Sequence, residues 1–326
     1  PNATAVASAN NAYGMSPYFT YGEAEVAYTE SRGLSVTFDS LARLGELEYV
    51  MIPGVGEAQD FQGLDLTGKV AVAQRGSIPF SQKLANAEAA GAVGLIVYDN
   101  SDNAELIAMD MTDGATGALP EGVSGRVPAV SISKADGEAM AAAGTKKLTV
   151  SAEQGIVASV IGGQISSFSS WGVAPNLTLA PDITAVGGNV YSTVDRGQYD
   201  VMSGTSMATP QIAGIAALVM EYLHEKYPDA PDGSLRSMAE ALLMSTAEPV
   251  VGSASKVEAS PRQQGSGLVN ALSAVTSEAY LTVGGHKPKV SLGDHGAGSY
   301  VFSFEVHNFS QAEKRYTLSA SLLTED

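Results

Sequence analysis

The sequence predicts an α/β fold that is followed by a β-rich tail. Residues 69–98 run in the order strand, helix, strand, which is typical of a small βαβ-type unit. Residues 207–227 form a helical pattern with apolar side chains almost all round, as in helices buried against a sheet. From residue 281 onward, apolar and polar residues alternate between Gly-rich turns, a pattern that favours β-sandwich strands.

The elements of the first half follow from short apolar runs and the turn residues beside them. A strand is expected at 3–9, before a polar turn, and another at 69–73, after a Thr-Gly turn. The Ala-rich run 81–91 predicts a helix that is ended by a glycine. Residues 101–126 are acidic and Gly-rich, which predicts a surface loop. Further elements are expected as strands at 93–98 and 127–132 and a helix at 136–143.

The second half is predicted to hold short strands and then three helices. The helix at 207–227 is the most apolar segment of the chain, and Leu218 lies among its apolar residues. We therefore expect this to be a central helix that is buried against a sheet. Two more helices are expected at about 234–245 and 267–276.

Composition restricts the classes of function. With 326 residues, the chain is expected to form about two domains, or one domain with an insertion. Its formal net charge of -17 argues against binding to nucleic acid or to anionic membranes. The absence of cysteine excludes thiol catalysis, Cys-ligated zinc and disulfide bonds. Since no apolar run approaches 18 residues, no membrane span is expected.

Ser206 is the candidate nucleophile. It lies in the run Ser-Gly-Thr-Ser-Met-Ala-Thr-Pro, directly before the apolar helix, where free N–H groups and the helix dipole favour negative charge. Gly204 is expected to permit an unusual backbone angle or a close approach, and Pro210 to fit the first helical turn. These features predict that Ser206 attacks a carbonyl and that its own N–H donates to the oxyanion. A plain helix cap is the alternative role.

The segment around Ser206, with Gly204, Thr205 and Met207 as motif residues, resembles the nucleophile motif of the subtilisin-like serine proteases. The resemblance implies the C-terminal part of a subtilisin-like parallel-sheet domain and acyl transfer through the serine. One departure is Gln211, which stands where the family often has a histidine that is not the triad base. Other segments similar to this family lie at 167–172, 179–185, 187–192, 242–247 and 265–271.

The remaining catalytic groups of that family are missing from this chain. The family orders its triad as Asp, His and Ser, but every histidine here follows the serine: His224, His286, His295 and His307. The family's Asp motif and the Gly-Asn pair that supplies an oxyanion donor are also absent. The first residues have neither a basic region nor a long apolar core and are not expected to be a signal peptide. We expect the Asp, the His and the oxyanion Asn to precede Pro1 in the same protein, and the chain alone to be inactive.

The domain organisation is predicted from further resemblances. Residues 1–15 are expected to be a catalytic-domain strand, and 16–160 an inserted α+β domain that resembles the non-catalytic protease-associated domain. This resemblance rests on the segments 68–76, 83–94 and 127–130. The C-terminal part of the catalytic domain is expected over 161–280. Residues 281–326 resemble the start of the fibronectin type III-like domain of lactocepin-like cell-envelope proteinases.

Charged residues of the insert are expected to be solvated. Lys83 and Glu88 are predicted on exposed helix faces, and Arg75 in an exposed turn. No cofactor is expected. The resemblance makes calcium possible, but no acidic loop has the spacing of calcium ligands, and no metal-binding residue is identified.

Two functions remain open from the sequence. The first is a secreted or cell-wall-associated bacterial endopeptidase, which acts on polypeptides. The second is a non-catalytic pseudo-protease or surface-binding module that acts through the insert and the tail. An α/β hydrolase is excluded because Ala208 stands where the nucleophile-elbow motif requires glycine.

Overall fold

The structure is a computed structural model that describes residues 3–101, 106–159, 161–175, 177–251, 257–285, 287–290 and 299–321. The chain forms two compact units. The first unit comprises Pro1–Asn11 together with Gly162–Asp326, and the second unit comprises Ala12–Ile161. Each unit is described by itself below.

The regular elements of the described residues are strands and mostly short helices. The strands are β1 Val6–Asn10, β2 Tyr13–Ser16, β3 Tyr18–Tyr21, β4 Ala24–Ala27, β5 Thr29–Glu30, β6 Glu46–Met51, β7 Val70–Gln74, β8 Gly94–Tyr98, β9 Ala129–Ile132, β10 Lys147–Val150, β11 Gly155–Ala158, β12 Ile183–Gly188, β13 Val190–Val194, β14 Gln198–Met202, β15 Ala279–Thr282 and β16 Glu305–Asn308. The α-helices are α1 Phe80–Ala89, α2 Lys134–Ala142, α3 Thr205–Lys226, α4 Asp232–Ser245, α5 Pro261–Gln264 and α6 Ala271–Thr276.

The second unit is built on an eight-stranded mixed sheet in the order β4-β3-β10-β6-β7-β8-β9-β5. Strands β6 to β9 run parallel, and the other neighbours are antiparallel. Because strand side chains alternate between faces, Val70 and Val72 of β7 enter one core and Ala71 and Ala73 enter the other. Met140 of α2 packs into the first core, and Leu84 of α1 into the second.

Lys83 of α1 corrects one expectation for this unit. The residue is fully buried instead of solvated. Its Nζ donates to the carbonyl oxygen of Gln74 at 3.1 Å and to that of Val55. Burial lowers the pKa of Lys83 because the charged form loses its hydration. Hydrogen bonds to these carbonyl oxygens compensate for the burial of the amino group, which explains why a lysine can occupy this position of the helix.

Arg75 and Glu88 were also expected to be solvated, but both contact other segments of this unit. The guanidinium of Arg75 lies 3.3 Å from the buried carboxylate of Asp99. The carboxylate of Glu88 is half-buried, and one of its oxygens accepts the N–H of Ser124 at 3.0 Å. Arg75 and Glu88 therefore each connect their own segment to another segment of the unit.

The predicted surface loop at 101–126 is partly a core segment. Ile107, Met109 and Met111 are buried in the core that also holds Leu84 of α1. Residues 102–105 lie outside the described residues. These three apolar residues alternate with exposed ones, as in a strand, but the acidic and Gly-rich composition around them favoured a surface loop.

The first unit is organised around a parallel pair of strands, β1 and β12. Helix α3 packs on this pair, and α4 and α6 pack on α3. Ile183 and Ala185 of β12, Ile212 of α3 and Leu242 of α4 meet in one core. No helix among the described residues is long and apolar enough to cross a bilayer.

Helix α3 packs against the strand pair, as expected, but one of its sides is open. Its buried side includes Ile212 and Val219, whereas Gly214, Ala217 and Leu218 are exposed. Leu218 is 52% exposed. Among the described residues, the elements that pack on α3 are β1, β12, α4 and α6, and they leave this side of the helix uncovered.

The β-sandwich expected after residue 281 is not confirmed. Strands β15 and β16 form an antiparallel pair. Tyr300 and Phe302, which belong to the alternating pattern, lie outside the strands and are exposed. Residues 291–298 and 322–326 lie outside the described residues. The alternating pattern thus corresponds to one strand pair within the part of the tail that is described.

Candidate active site

Ser206 lies in the first turn of α3 and is exposed. The helix begins at Thr205, and the N–H of Met207 already donates to the carbonyl oxygen of Gly204 at 2.9 Å. N–H groups in the first turn of a helix have no acceptor within the helix, so the N–H of Ser206 is available to an outside acceptor. The hydroxyl and this N–H therefore belong to the same exposed residue, at the positive end of the helix dipole.

Two local expectations about this segment were wrong. Gly204 has an extended backbone, with φ 160° and ψ 155°, and a Cβ there would meet nothing nearer than Sδ of Met207 at 3.6 Å. Pro210 lies beyond the first turn, inside the helix. Because proline has no N–H, it leaves the carbonyl oxygen of Ser206 without its i+4 donor.

The segment before Ser206 is held against the end of β12. The N–H of Gly204 donates to the carbonyl oxygen of Gly187 at 2.7 Å. The hydroxyl of Ser203 accepts the N–H of Asn189 at 2.9 Å. The side-chain amide of Gln211 donates to the carbonyl oxygen of Val186 at 2.8 Å. Three hydrogen bonds thus fix the position of the serine relative to the strand pair.

Gly187 permits the closeness of this contact. A Cβ at residue 187 would lie 2.6 Å from the carbonyl oxygen of Gly204 and 2.5 Å from Oγ of Ser8. A Cβ at Gly188 would lie 2.1 Å from Oδ1 of Asn10. These glycines are positioning residues that the sequence analysis assigned no role. Their signal was the pair of consecutive glycines within a segment that was expected to hold short strands.

A buried polar network lies under the same contact. Oγ of Ser8 and Oγ of Ser166 are 2.9 Å apart, and Ser166 donates to Oδ1 of Asn10 at 2.9 Å. The N–H of Ser8 donates to the hydroxyl of Ser169 at 3.0 Å. All four side chains are buried. The network joins β1, the strand that pairs with β12, to the segment that follows residue 162.

A cavity of about 350 Å³ opens beside Ser206. From α3 it is lined by Ser206, Met207, Pro210 and Gln211. The other wall is the hairpin formed by β13 and β14, which pair antiparallel. The cavity is mostly apolar, and it lies where a bound reactant would reach the serine hydroxyl.

The described histidines do not contact Ser206. His224 lies 18 residues further along the same helix, which is about 27 Å at 1.5 Å per residue. Its Nε2 is 3.5 Å from the carboxylate of Asp232. His307 bonds the hydroxyl of Thr282 at 2.8 Å, and its ring stacks on that of Tyr280. His286 and His295 lie outside the described residues.

Metal ligands are not gathered at this site. In the part of the chain that the structure describes, no group of three or more His, Asp or Glu side chains could hold a metal ion. The reacting groups that the described residues offer are therefore a serine hydroxyl and backbone N–H donors.

Comparisons with known proteins agree with the family resemblance of the segment around Ser206. Residues 43–140 match the PA domain family, which confirms that the insert contains a protease-associated domain. Over 262 residues, or 80% of this chain, the sequence is 33% identical to C5a peptidase of Streptococcus pyogenes. It is 32% identical over 87% of its length to the minor extracellular protease Vpr of Bacillus subtilis. It is 30% identical over 79% of its length to the PI-type proteinase of Lactococcus lactis subsp. cremoris.

The chain spans only a part of these relatives. It covers 21% of C5a peptidase, 33% of Vpr and 14% of the PI-type proteinase. The similarity of sequence extends well beyond the matched PA domain, since it includes most of both structural units.

Proposed function

We propose, from the premise that this chain contains a PA domain and is homologous to part of the subtilisin-like cell-envelope proteases, that it carries the nucleophile of a secreted or cell-wall-associated serine endopeptidase. The observation that carries this proposal is the position of Ser206. Its hydroxyl and N–H are exposed together in the first turn of α3, beside an open cavity.

The chemistry is acyl transfer from a polypeptide. Oγ of Ser206 attacks the carbonyl carbon of the scissile bond, and its proton passes to a base. The N–H of Ser206 donates to the oxyanion that forms, and the positive end of the helix dipole stabilises the same charge. The leaving amine takes up the proton, and water then hydrolyses the acyl-enzyme.

The base, its orienting carboxylate and the side-chain oxyanion donor come from an N-terminal part of the same protein. This part of the proposal is supported by the described histidines, which are engaged elsewhere. It is also supported by the exposed apolar residues Ala217 and Leu218 on one side of α3, the helix whose first turn carries the serine. Apolar helix surface of this kind is stabilised when a further segment packs on it.

The chain alone is then inactive, because an isolated nucleophile retains little of the activity of a complete triad. A fluorophosphonate probe, which reacts with activated serines, tests this directly. We expect labelling of the protein that includes the N-terminal part and none of the 326-residue chain. We also expect Ser206→Ala to abolish labelling and to lower peptide hydrolysis by at least roughly a thousandfold.

Ser237→Ala is the matched control for this experiment. Ser237 is an exposed serine of α4 whose hydroxyl donates to the carbonyl oxygen of Gly233 at 3.2 Å, and it does not line the cavity beside Ser206, so its loss should leave Ser206 labelled. Hydrolysis by the purified chain alone would contradict the need for an N-terminal part. Failure of the longer protein to be labelled would instead favour a non-catalytic binding module.

A further inference from the structure

The cavity beside Ser206 has the size and the walls of a side-chain subsite. Its volume of about 350 Å³ is enough for one long side chain. Val190, Val194, Met202 and Met207 give it apolar walls. Methylene groups of a substrate side chain would replace water along these walls.

Asp200 adds a single negative charge to these walls. It is the one ionisable residue among the described residues that line the cavity. It lies on β14 opposite Ser192 of β13. Its Oδ1 accepts the N–H of Val201 at 2.7 Å, and the structure pairs its other oxygen with no described residue.

An arginine on the same hairpin does not neutralise this carboxylate. Nε of Arg196 lies 3.5 Å from the carboxylate of Asp195, in the turn that joins β13 to β14. Both side chains are almost fully exposed. Asp200 is thus left as a carboxylate without a cationic partner among the described residues, beside the apolar walls.

We propose that this cavity takes a lysine or arginine side chain that flanks the scissile bond, and that Asp200 determines this preference. The aliphatic stem of such a residue contacts the methionines and valines, and its cationic end meets the carboxylate. The inference rests on the proposed function, since it assigns a substrate class to the site that contains Ser206. A neutral side chain of the same shape would fill the walls and leave Asp200 unpaired.

Binding to the 326-residue chain tests the subsite without any catalysis. The methionine methyl groups are labelled with ¹³C, and those of Met202 and Met207 report on the cavity. Two blocked peptides are titrated that differ only in arginine or citrulline, which have the same shape but differ in charge. We expect the arginine peptide to shift both methyl signals at about fivefold lower concentration, and this advantage to shrink as salt is added.

Asp200→Asn should remove the difference between the two peptides. Asp195→Asn is the matched control, because it changes a carboxylate of the same hairpin that does not line the cavity. Equal titrations of the two peptides by the unchanged chain would overturn the proposal. A preference for arginine that survives in Asp200→Asn would overturn it as well.

The protein that includes the N-terminal part supplies the second measurement. We expect kcat/KM for peptides with lysine or arginine beside the scissile bond to exceed that for norleucine or citrulline by about fivefold. In Asp200→Asn this ratio should fall to about one. No preference in the unchanged protein would show that another segment fills the cavity and would refute the subsite. Cleavage that persists in Ser206→Ala would refute the proposed function, while the titration still decides the subsite.

Discussion

At the scale of the residue, Gly187 determines how closely the start of α3 approaches β12. Replacement by alanine would bring Cβ within 2.6 Å of the carbonyl oxygen of Gly204, so the segment before Ser206 must move. We expect Gly187→Ala to lower the free energy of unfolding of the chain by about 1–3 kcal/mol, as measured by urea denaturation. In the longer protein it should also slow labelling of Ser206 by a fluorophosphonate.

Gly214→Ala is the control for this prediction, because it makes the same chemical change within α3. A Cβ at residue 214 has no atom within 4 Å. Since glycine disfavours a helix interior, this variant should be more stable by about 0.5–1 kcal/mol. Equal effects of the two substitutions would show that the close contact at Gly187 does not exist.

Asp182 is a second residue whose environment allows a definite prediction. Its buried carboxylate accepts the N–H of Ala5 and contacts the amino groups of Lys287 and Lys289. Burial alone would raise the pKa of Asp182, but the hydrogen bonds from Lys289, Ala5 and Lys287 outweigh it and hold the pKa below its ordinary value of 3.8. The ionised form is therefore favoured in the folded protein.

Because the folded pKa is depressed, Asp182 stabilises the fold fully above its ordinary pKa and loses this effect as the pH falls through the folded value. We expect Asp182→Asn to lower the free energy of unfolding by about 2 kcal/mol at pH 7. When unfolding is measured at decreasing pH, the free energies of unfolding of the two proteins should converge below pH 3.8. Asp195→Asn, which changes an exposed pair, should differ little from the unchanged chain at any pH. A constant difference for Asp182→Asn across this range would contradict the assignment.

At the scale of the element, helix α3 has one packed side and one open side. Val219 is fully buried, whereas its neighbour Leu218 is 52% exposed. We expect Val219→Ala to destabilise the chain by about 1–2 kcal/mol, and Leu218→Ala to change its stability by less than about 0.5 kcal/mol. Thermal unfolding of the two variants measures this directly. A large loss for Leu218→Ala in the isolated chain would mean that the open side is already packed.

The elements also show which features a sequence can predict. The positions of α3 and α4 followed from their apolar periods, and the place of Ser206 at the start of α3 followed from its motif. The one-sided burial of α3 could not be predicted, because an apolar pattern records what a helix can bury and not which neighbours are present. The buried position of Lys83 depends on carbonyl groups of two separate segments, which no local pattern reveals. The same holds for Gly187, whose contacts are all distant in sequence.

At the scale of the whole molecule, Ala12–Ile161 form a unit that contains two core clusters of its own. Its ends are held together by its own strands, since β2 pairs with β11 and the N–H of Ser159 donates to the carbonyl oxygen of Ala12 at 2.9 Å. A domain of this length buries more than about two thirds of its unfolded surface. The cores and the paired ends together favour independent folding.

We therefore expect a protein that consists of residues 12–161 to unfold in a single cooperative transition, which circular dichroism during heating would measure. A protein of residues 12–140 is the informative control, because it keeps the whole PA match at 43–140 but lacks β10 and β11. Strand β10 lies between β3 and β6 and pairs with both. Its removal exposes two strand edges inside the sheet, so the shorter protein should show no cooperative transition. If residues 12–161 also fail to unfold cooperatively while the full chain does, the unit depends on the rest of the protein for its stability.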